Sequence, residues 1–205
     1  EAHLLSTRSS ILLSSFDNLG LCAPVLKATQ ALGYETPTPI QLQAIPKVLA
    51  GHDVLGVAQT GTGKTAAFSL PMIHRLHQER YSGQFRPIRG LILTPTRELA
   101  MQIEENILGY TKHVKLFTAT LFGGVSQHRQ VQKLRRGVDI IVATPGRLLD
   151  LQDQGFVNLQ HLQYFVKEEA DTMMDMGFIH DLRRIVKHLP KNRQSLFFSA
   201  TMPPN

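Results

Sequence analysis

Apolar residues along this chain follow two alternating rhythms. Short, largely apolar and partly β-branched runs stand at Asp53–Val57, Gly90–Leu93, Leu116–Leu121, Asp139–Ala143, Tyr164–Val166 and Ser195–Phe198. Between them, apolar positions recur at helical spacing over Ala66–Gln78, Glu98–Tyr110, Ser126–Leu134, Gly146–Leu151 and Phe178–His188. Two further helices are expected earlier, over Pro24–Leu32 with Gly33 as its stop, and over Ile40–Leu49 with Gly51 just beyond. Apolar strands separated by helices predict an α/β fold, a mostly parallel sheet flanked by helices on both faces. Ligand loops then gather at the carboxyl ends of the strands. The polar segments fall there: Ala58-Gln59-Thr60-Gly61, Thr94-Pro95-Thr96-Arg97, Gly123-Gly124, Thr144-Pro145-Gly146-Arg147, Glu168-Glu169 and Ser199-Ala200-Thr201 each follow a strand.

The most specific of these segments is Ala58-Gln59-Thr60-Gly61-Thr62-Gly63-Lys64-Thr65. Strand, glycine-rich turn, lysine, hydroxyl and helix is the layout of a phosphate-binding P-loop. Gly61 and Gly63 let backbone N–H groups turn inward on phosphate oxygens, and the helix N-terminus adds partial positive charge. Lys64 is placed to reach the β- and γ-phosphates and Thr65 to bind Mg²⁺. Ala58 stands where the general pattern has glycine. The plainer reading is a glycine turn before a helix.

Composition narrows the picture. The chain has 205 residues, of which 42% are hydrophobic, enough for one domain with a full core. Residues 1–15 are Ser- and Leu-rich and read as an N-terminal arm, and 16–205 as the domain. No apolar run reaches the length of a membrane span, and no signal-peptide pattern is present. The chain opens on Glu1, as expected of a piece of a longer protein. Cys22 is the single cysteine, compatible with a reducing compartment, and a cytoplasmic location is expected. The net charge is +6, a balance that suits a polyanionic partner or simply solvated helix faces.

Taken together, these segments resemble the DEAD-box RNA helicases, specifically their first RecA-like domain, over Phe16 to Thr201. Phe122-Gly123-Gly124-Val125-Ser126 and Asp175-Met176-Gly177-Phe178-Ile179-His180-Asp181 look closest to the bacterial RhlE-like subgroup. The resemblance implies that ATP and Mg²⁺ are the cofactors. Gly33 to Gln41 is similar to the family's adenine-reading motif, with Phe16 as its upstream aromatic. Gln41 carries the amide donor and acceptor that match adenine N7 and N6, and Tyr34 or Phe16 offers a stacking surface. Pro95-Thr96-Arg97, Gly123-Gly124 and Thr144-Pro145-Gly146-Arg147 match the RNA-facing motifs. Their hydroxyls, backbone N–H groups and arginines suit sugar-phosphate contacts that do not read sequence. Thr96 and Thr144 also suit helix N-caps, and Arg97 and Arg147 also suit structural ion pairs. Ser199 and Thr201 match the motif that couples the nucleotide and RNA sites. Asp171 is expected to orient that motif.

The metal motif departs from the family. Two apolar residues, Asp-Glu-Ala-Asp and Arg-Met-Leu are replaced by Val166-Lys167-Glu168-Glu169-Ala170-Asp171-Thr172-Met173-Met174. Glu169 takes the place of the catalytic carboxylate that handles the attacking water, with Lys64 as its phosphate-side partner. Glu168 takes the metal-assisting place with one extra methylene, at a ligand position where Mg²⁺ demands near-ideal geometry. Lys167 must reach solvent, pair with an acid or distort the strand end. Mg·ATP binding with slowed hydrolysis is the expectation.

A second RecA-like domain in the same protein is implied as a partner, and the fragment alone is expected to be monomeric, weakly active and unable to unwind RNA. A non-catalytic nucleotide- or RNA-binding module is the rival reading, favoured by Lys167, Glu168 and Thr172. A different P-loop motor, such as a DNA helicase, is a third, opposed by the Phe16–Gln41 arrangement and Pro95–Ala100.

Overall fold

The computed structural model describes residues 15–59 and 61–201. Its strands are β1 (Val54–Val57), β2 (Gly90–Leu93), β3 (Thr118–Leu121), β4 (Ile140–Ala143), β5 (Tyr164–Glu168) and β6 (Gln194–Ser199). They form one parallel six-stranded sheet in the order β1-β6-β5-β2-β4-β3. The helices are α1 (Ala23–Ala31), α2 (Pro39–Leu49), α3 (Lys64–Gln78), α4 (Arg97–Tyr110), α5 (His128–Arg136), α6 (Pro145–Asp153), α7 (Ala170–Asp175) and α8 (Ile179–Lys187).

The strands bury both faces, which explains why they read as continuous apolar runs. Ile92, Val142, Val166 and Leu196 point into one core, shared with α1 to α4. Leu91, Leu93, Ile141, Ala143 and Phe165 point into the other, shared with α5 to α8. Each fully buried aliphatic side chain contributes about 1.5–3 kcal/mol of transfer free energy.

Beyond shifts of one to a few residues at element ends, two differences from the sequence expectation bear on the site. β5 runs on to Glu168 rather than stopping at Val166. Lys167 lies opposite Phe197 of β6 in the sheet register, and its Nζ sits 3.9 Å from that ring's centroid. The side chain is half-buried, and the ammonium forms no ion pair among the described residues. It rests on an aromatic face, and burial lowers its pKa. Helix α7 was not foreseen, because six residues are too few to show a period.

The amino-terminal edge of the sheet is tied by Asp139, which is fully buried. Its carboxylate accepts from Arg86 Nη1 at 2.9 Å, Arg89 Nη2 at 3.0 Å and the Phe117 N–H at 2.8 Å. That edge is structural, and the opposite, carboxyl edge is left for the loops.

Candidate functional site

Gly63, at φ 81°, caps α3 in the left-handed region, and Gly61 adopts the same conformation at φ 83°. A Cβ on Gly63 would overlap the Gln41 amide, so the turn requires glycine for space as well as for φ. Gln41 holds the loop from the other side. Its Nε2 donates to the Gly63 carbonyl at 3.2 Å, and its Oε1 accepts the Thr38 N–H at 3.0 Å in a capping box that starts α2. Each end of the amide keeps a second hydrogen-bonding position. The Thr62 hydroxyl closes the turn on the Gln59 carbonyl at 2.6 Å, and the Ala58 N–H donates to Ser199 at 3.0 Å. Thr60 lies outside the described residues, as do residues 1–14 of the expected arm.

Thr38, Gln41, Gly61 and Gly63 border a cavity of 720 Å³, within the range of cofactor sites, whereas Ala58, Gln59 and Thr62, expected to bind the cofactor, lie outside its lining. Phe16, Tyr34, Gln41, Lys64, Thr65 and Glu169 all line it. Phe16 and Tyr34 pack with ring centroids 6.0 Å apart, and the Tyr34 hydroxyl shares a 2.9 Å hydrogen bond with Tyr110. Burial pushes the Tyr110 phenol far above its ordinary range.

The charged end of the cavity joins residues far apart in sequence. Lys64 is 5% exposed, and its Nζ lies 3.1 Å from Glu169 Oε1 and 3.9 Å from Glu168 Oε1. Glu169 is the one non-glycine residue at positive φ among the described residues, with φ 56° and ψ 47°. Burial pushes the Glu168 carboxyl up to about 7, against the pull of Lys64 and with the like charge of Glu169. Its Oε2 is buried without a hydrogen-bond partner. Glu168 lines the same cavity as Thr65, and its unpartnered carboxylate oxygen suits a hard, oxygen-seeking cation. Among the described residues no group of three or more His, Cys, Asp or Glu could hold a metal alone. Thr65 and Glu168 thus fit Mg²⁺ that takes its remaining ligands from phosphate and water.

Asp171 reaches the segment that ends β6. Its Oδ2 accepts from Thr201 Oγ1 at 3.2 Å. Burial raises its pKa, but hydrogen bonds from Ser199, the Thr172 backbone and Thr201 outweigh that and hold it below the usual carboxylate range.

The expected RNA-facing loops lie along the same sheet edge. Pro95 is buried and Thr96 caps α4, its Oγ1 accepting the Leu99 N–H at 3.2 Å. Thr144 holds the N-cap position of α6 without a side-chain cap bond, and Pro145 follows, buried. Gly123, Gly124 and Gly146 are exposed. Neither arginine forms an ion pair among the described residues. Arg97 stacks over Phe122 at 5.0 Å, while Arg147 donates to Gln130 Oε1 at 3.1 Å and to the Val125 carbonyl at 2.9 Å.

Two contributions were not visible in the sequence. Gln130 Nε2 also donates to the Phe122 carbonyl at 3.1 Å, so one buried amide joins the glycine loop to Arg147. Leu99, Gln102, Ile103, Asn106 and Tyr110 turn one face of α4 toward the nucleotide cavity. Their spacing is a helical stripe, but only the fold shows that it faces a cavity.

Comparison with known proteins agrees with this geometry. A family model described as DEAD/DEAH box helicase matches residues 38–205. The chain is 47% identical over 191 residues to the ATP-dependent RNA helicase DeaD of Escherichia coli, covering 93% of this chain and 30% of that protein. It is 48% identical over 191 residues to the ATP-dependent RNA helicase CshA of Limosilactobacillus reuteri, covering 92% of this chain and 37% of that one. The chain thus spans about a third of the length of these relatives. A crystal structure of a DEAD box protein from the hyperthermophile Methanococcus jannaschii superposes with a TM-score of 0.85 at 38% identity, over 93% of this chain and 51% of that one.

Proposed function

Because this chain belongs to the DEAD/DEAH box helicase family, we propose that it is the ATP- and RNA-binding half of an ATP-dependent RNA helicase, which couples ATP hydrolysis to local unwinding of RNA duplexes. A second RecA-like domain completes the site in this reading, supplying arginines to the γ-phosphate and the other half of the RNA surface. The narrower likeness to RhlE-like helicases rests on Phe122–Ser126 and Asp175–Asp181 alone.

Each residue then has a physical task. Gln41 turns its free donor and acceptor positions to the adenine edge, beside Phe16 and Tyr34. Backbone N–H groups of the Gly61–Lys64 turn and the Lys64 ammonium take the phosphates. Thr65 and Glu168 would hold Mg²⁺, which neutralises charge on the β- and γ-phosphate oxygens when bound. Glu169, released from Lys64 as phosphate arrives, orients the attacking water and accepts its proton. Asp171 keeps Ser199 and Thr201 in place between the nucleotide and the RNA. Thr96, Arg97, Gly123, Gly124 and the start of α6 meet the RNA backbone without reading its sequence.

The observation that carries the reading is the Lys64–Glu169 contact. Residues 105 apart in sequence bring a phosphate-binding cation and a water-handling carboxylate to 3.1 Å. The test is phosphate release by this chain joined to a second RecA-like domain, with RNA or DNA of one sequence as the added strand. RNA should stimulate turnover and Lys64→Ala should abolish it. Equal stimulation by DNA, or turnover that survives Lys64→Ala, overturns the proposal.

A further inference from the structure

A second cleft, of 620 Å³, opens between α4, β3 and α5, beside the RNA-facing loops yet separate from the nucleotide cavity. We propose that it is a base-receiving subsite, which takes one unpaired nucleotide out of the bound RNA strand. The inference rests on the RNA-binding reading above and adds to it a contact with a base rather than with the backbone.

The floor of the cleft is Thr120. Ala119 and Leu121 point into the core beyond the sheet, so Thr120 faces the cleft from the opposite side of β3. It is 7% exposed, and its Oγ1 is buried with no hydrogen-bond partner. A buried hydroxyl without a partner is costly, and a base edge reaching the floor would satisfy it as donor or acceptor.

One wall is Phe122 with the Arg97 guanidinium stacked on it at 5.0 Å. Planar aromatic and guanidinium surfaces are what unstacked RNA bases settle against. The rim is cationic. Arg129 is exposed and forms no ion pair among the described residues. Lys133 is 53% exposed, and its 3.8 Å pair with Glu104 is long and solvent-screened, so a phosphate would displace it. A polar floor, a flat wall and a basic rim match a nucleotide in three separate respects. Arg97 belongs to both the backbone path and the cleft, which places the entrance beside the strand.

The test uses single-stranded RNA just long enough to bind, so that its register cannot slide, with one abasic nucleotide moved along it. Affinity for this chain joined to a second RecA-like domain is read by fluorescence anisotropy. One internal abasic position should weaken binding by about tenfold, the scale of one lost base–aromatic stack, while the others change it little. Thr120→Leu, which fills the floor, should flatten that profile while circular dichroism shows the fold intact. A flat profile on the unaltered chain, with RNA still bound, overturns the subsite alone. Absence of RNA binding overturns the underlying reading and the subsite with it.

Discussion

Glu169 is held in a backbone region that costs a non-glycine residue about 1–2 kcal/mol, and such strain persists where the surroundings enforce it. The residue stands at the N-cap of α7, and its carboxylate lies 3.1 Å from Lys64 Nζ. Two residues earlier, Lys167 interrupts an apolar strand and keeps a partly desolvated ammonium on Phe197. Lys167→Leu should therefore raise stability by about 1 kcal/mol, read as a later midpoint in urea unfolding. An earlier midpoint would mean that the aromatic contact outweighs desolvation. Glu168 carries one methylene more than the family's aspartate. Glu168→Asp combined with Lys167→Leu should raise RNA-stimulated turnover of the two-domain protein by about tenfold or more, since a misplacement of about 1 Å can cost two orders of magnitude. Unchanged turnover would show that Glu168 already reaches the metal's water shell.

At the scale of elements, the glycine loop, α5 and α6 behave as one unit because Gln130 bonds to the first and to Arg147. Gln130→Ala should weaken RNA binding by about five- to tenfold while leaving ATP affinity unchanged, as expected for loss of one or two hydrogen bonds. An equal loss of ATP affinity would point to general unfolding instead. Helices α1 and α3 are joined by His74, whose Nδ1 accepts the Cys22 N–H at 2.8 Å and must be unprotonated to do so. Burial, then the nearby Arg75 and His77 charges, lower its pKa below the ordinary 6.5. The folded state thus binds fewer protons than the unfolded one, so this stabilisation is complete above pH 6.5 and is lost as the pH falls toward the folded value. Unfolding midpoints should drop over that interval, and His74→Asn should shrink the drop. The alternation of strands and helices was legible in the sequence because strands buried on both faces are apolar throughout and the P-loop fixes one of them; the order of the strands in the sheet was not. Gln130 was not, because its role depends on carbonyls and an arginine brought together only by packing. The α4 stripe was readable as a helix face but not as a cavity wall.

Over the whole molecule, the two edges of the sheet divide labour. The carboxyl edge carries the glycine turn, the acids and the loops proposed to face RNA, while the amino edge carries the buried Asp139 with Arg86 and Arg89. Asp139→Ala leaves two guanidiniums without their carboxylate, one of them buried, and should cost about 3–5 kcal/mol of stability. ATP affinity of the molecules that remain folded should not change, because effects at well-separated sites add independently. A matching loss of affinity would show that the two edges are mechanically linked.

The Lys64–Glu169 contact has a consequence for which anions the pocket admits. An incoming anion competes with a carboxylate already seated on the lysine, so inorganic phosphate or chloride gains little by entering. A ligand that also carries a divalent cation compensates both sides of the exchange, with phosphate for the lysine and positive charge for Glu168 and the released Glu169. On the proposed reading, metal and nucleotide would be thermodynamically cooperative, each raising the affinity for the other by the same factor. On that reading the internal ion pair would act as a filter for the complete metal–triphosphate unit.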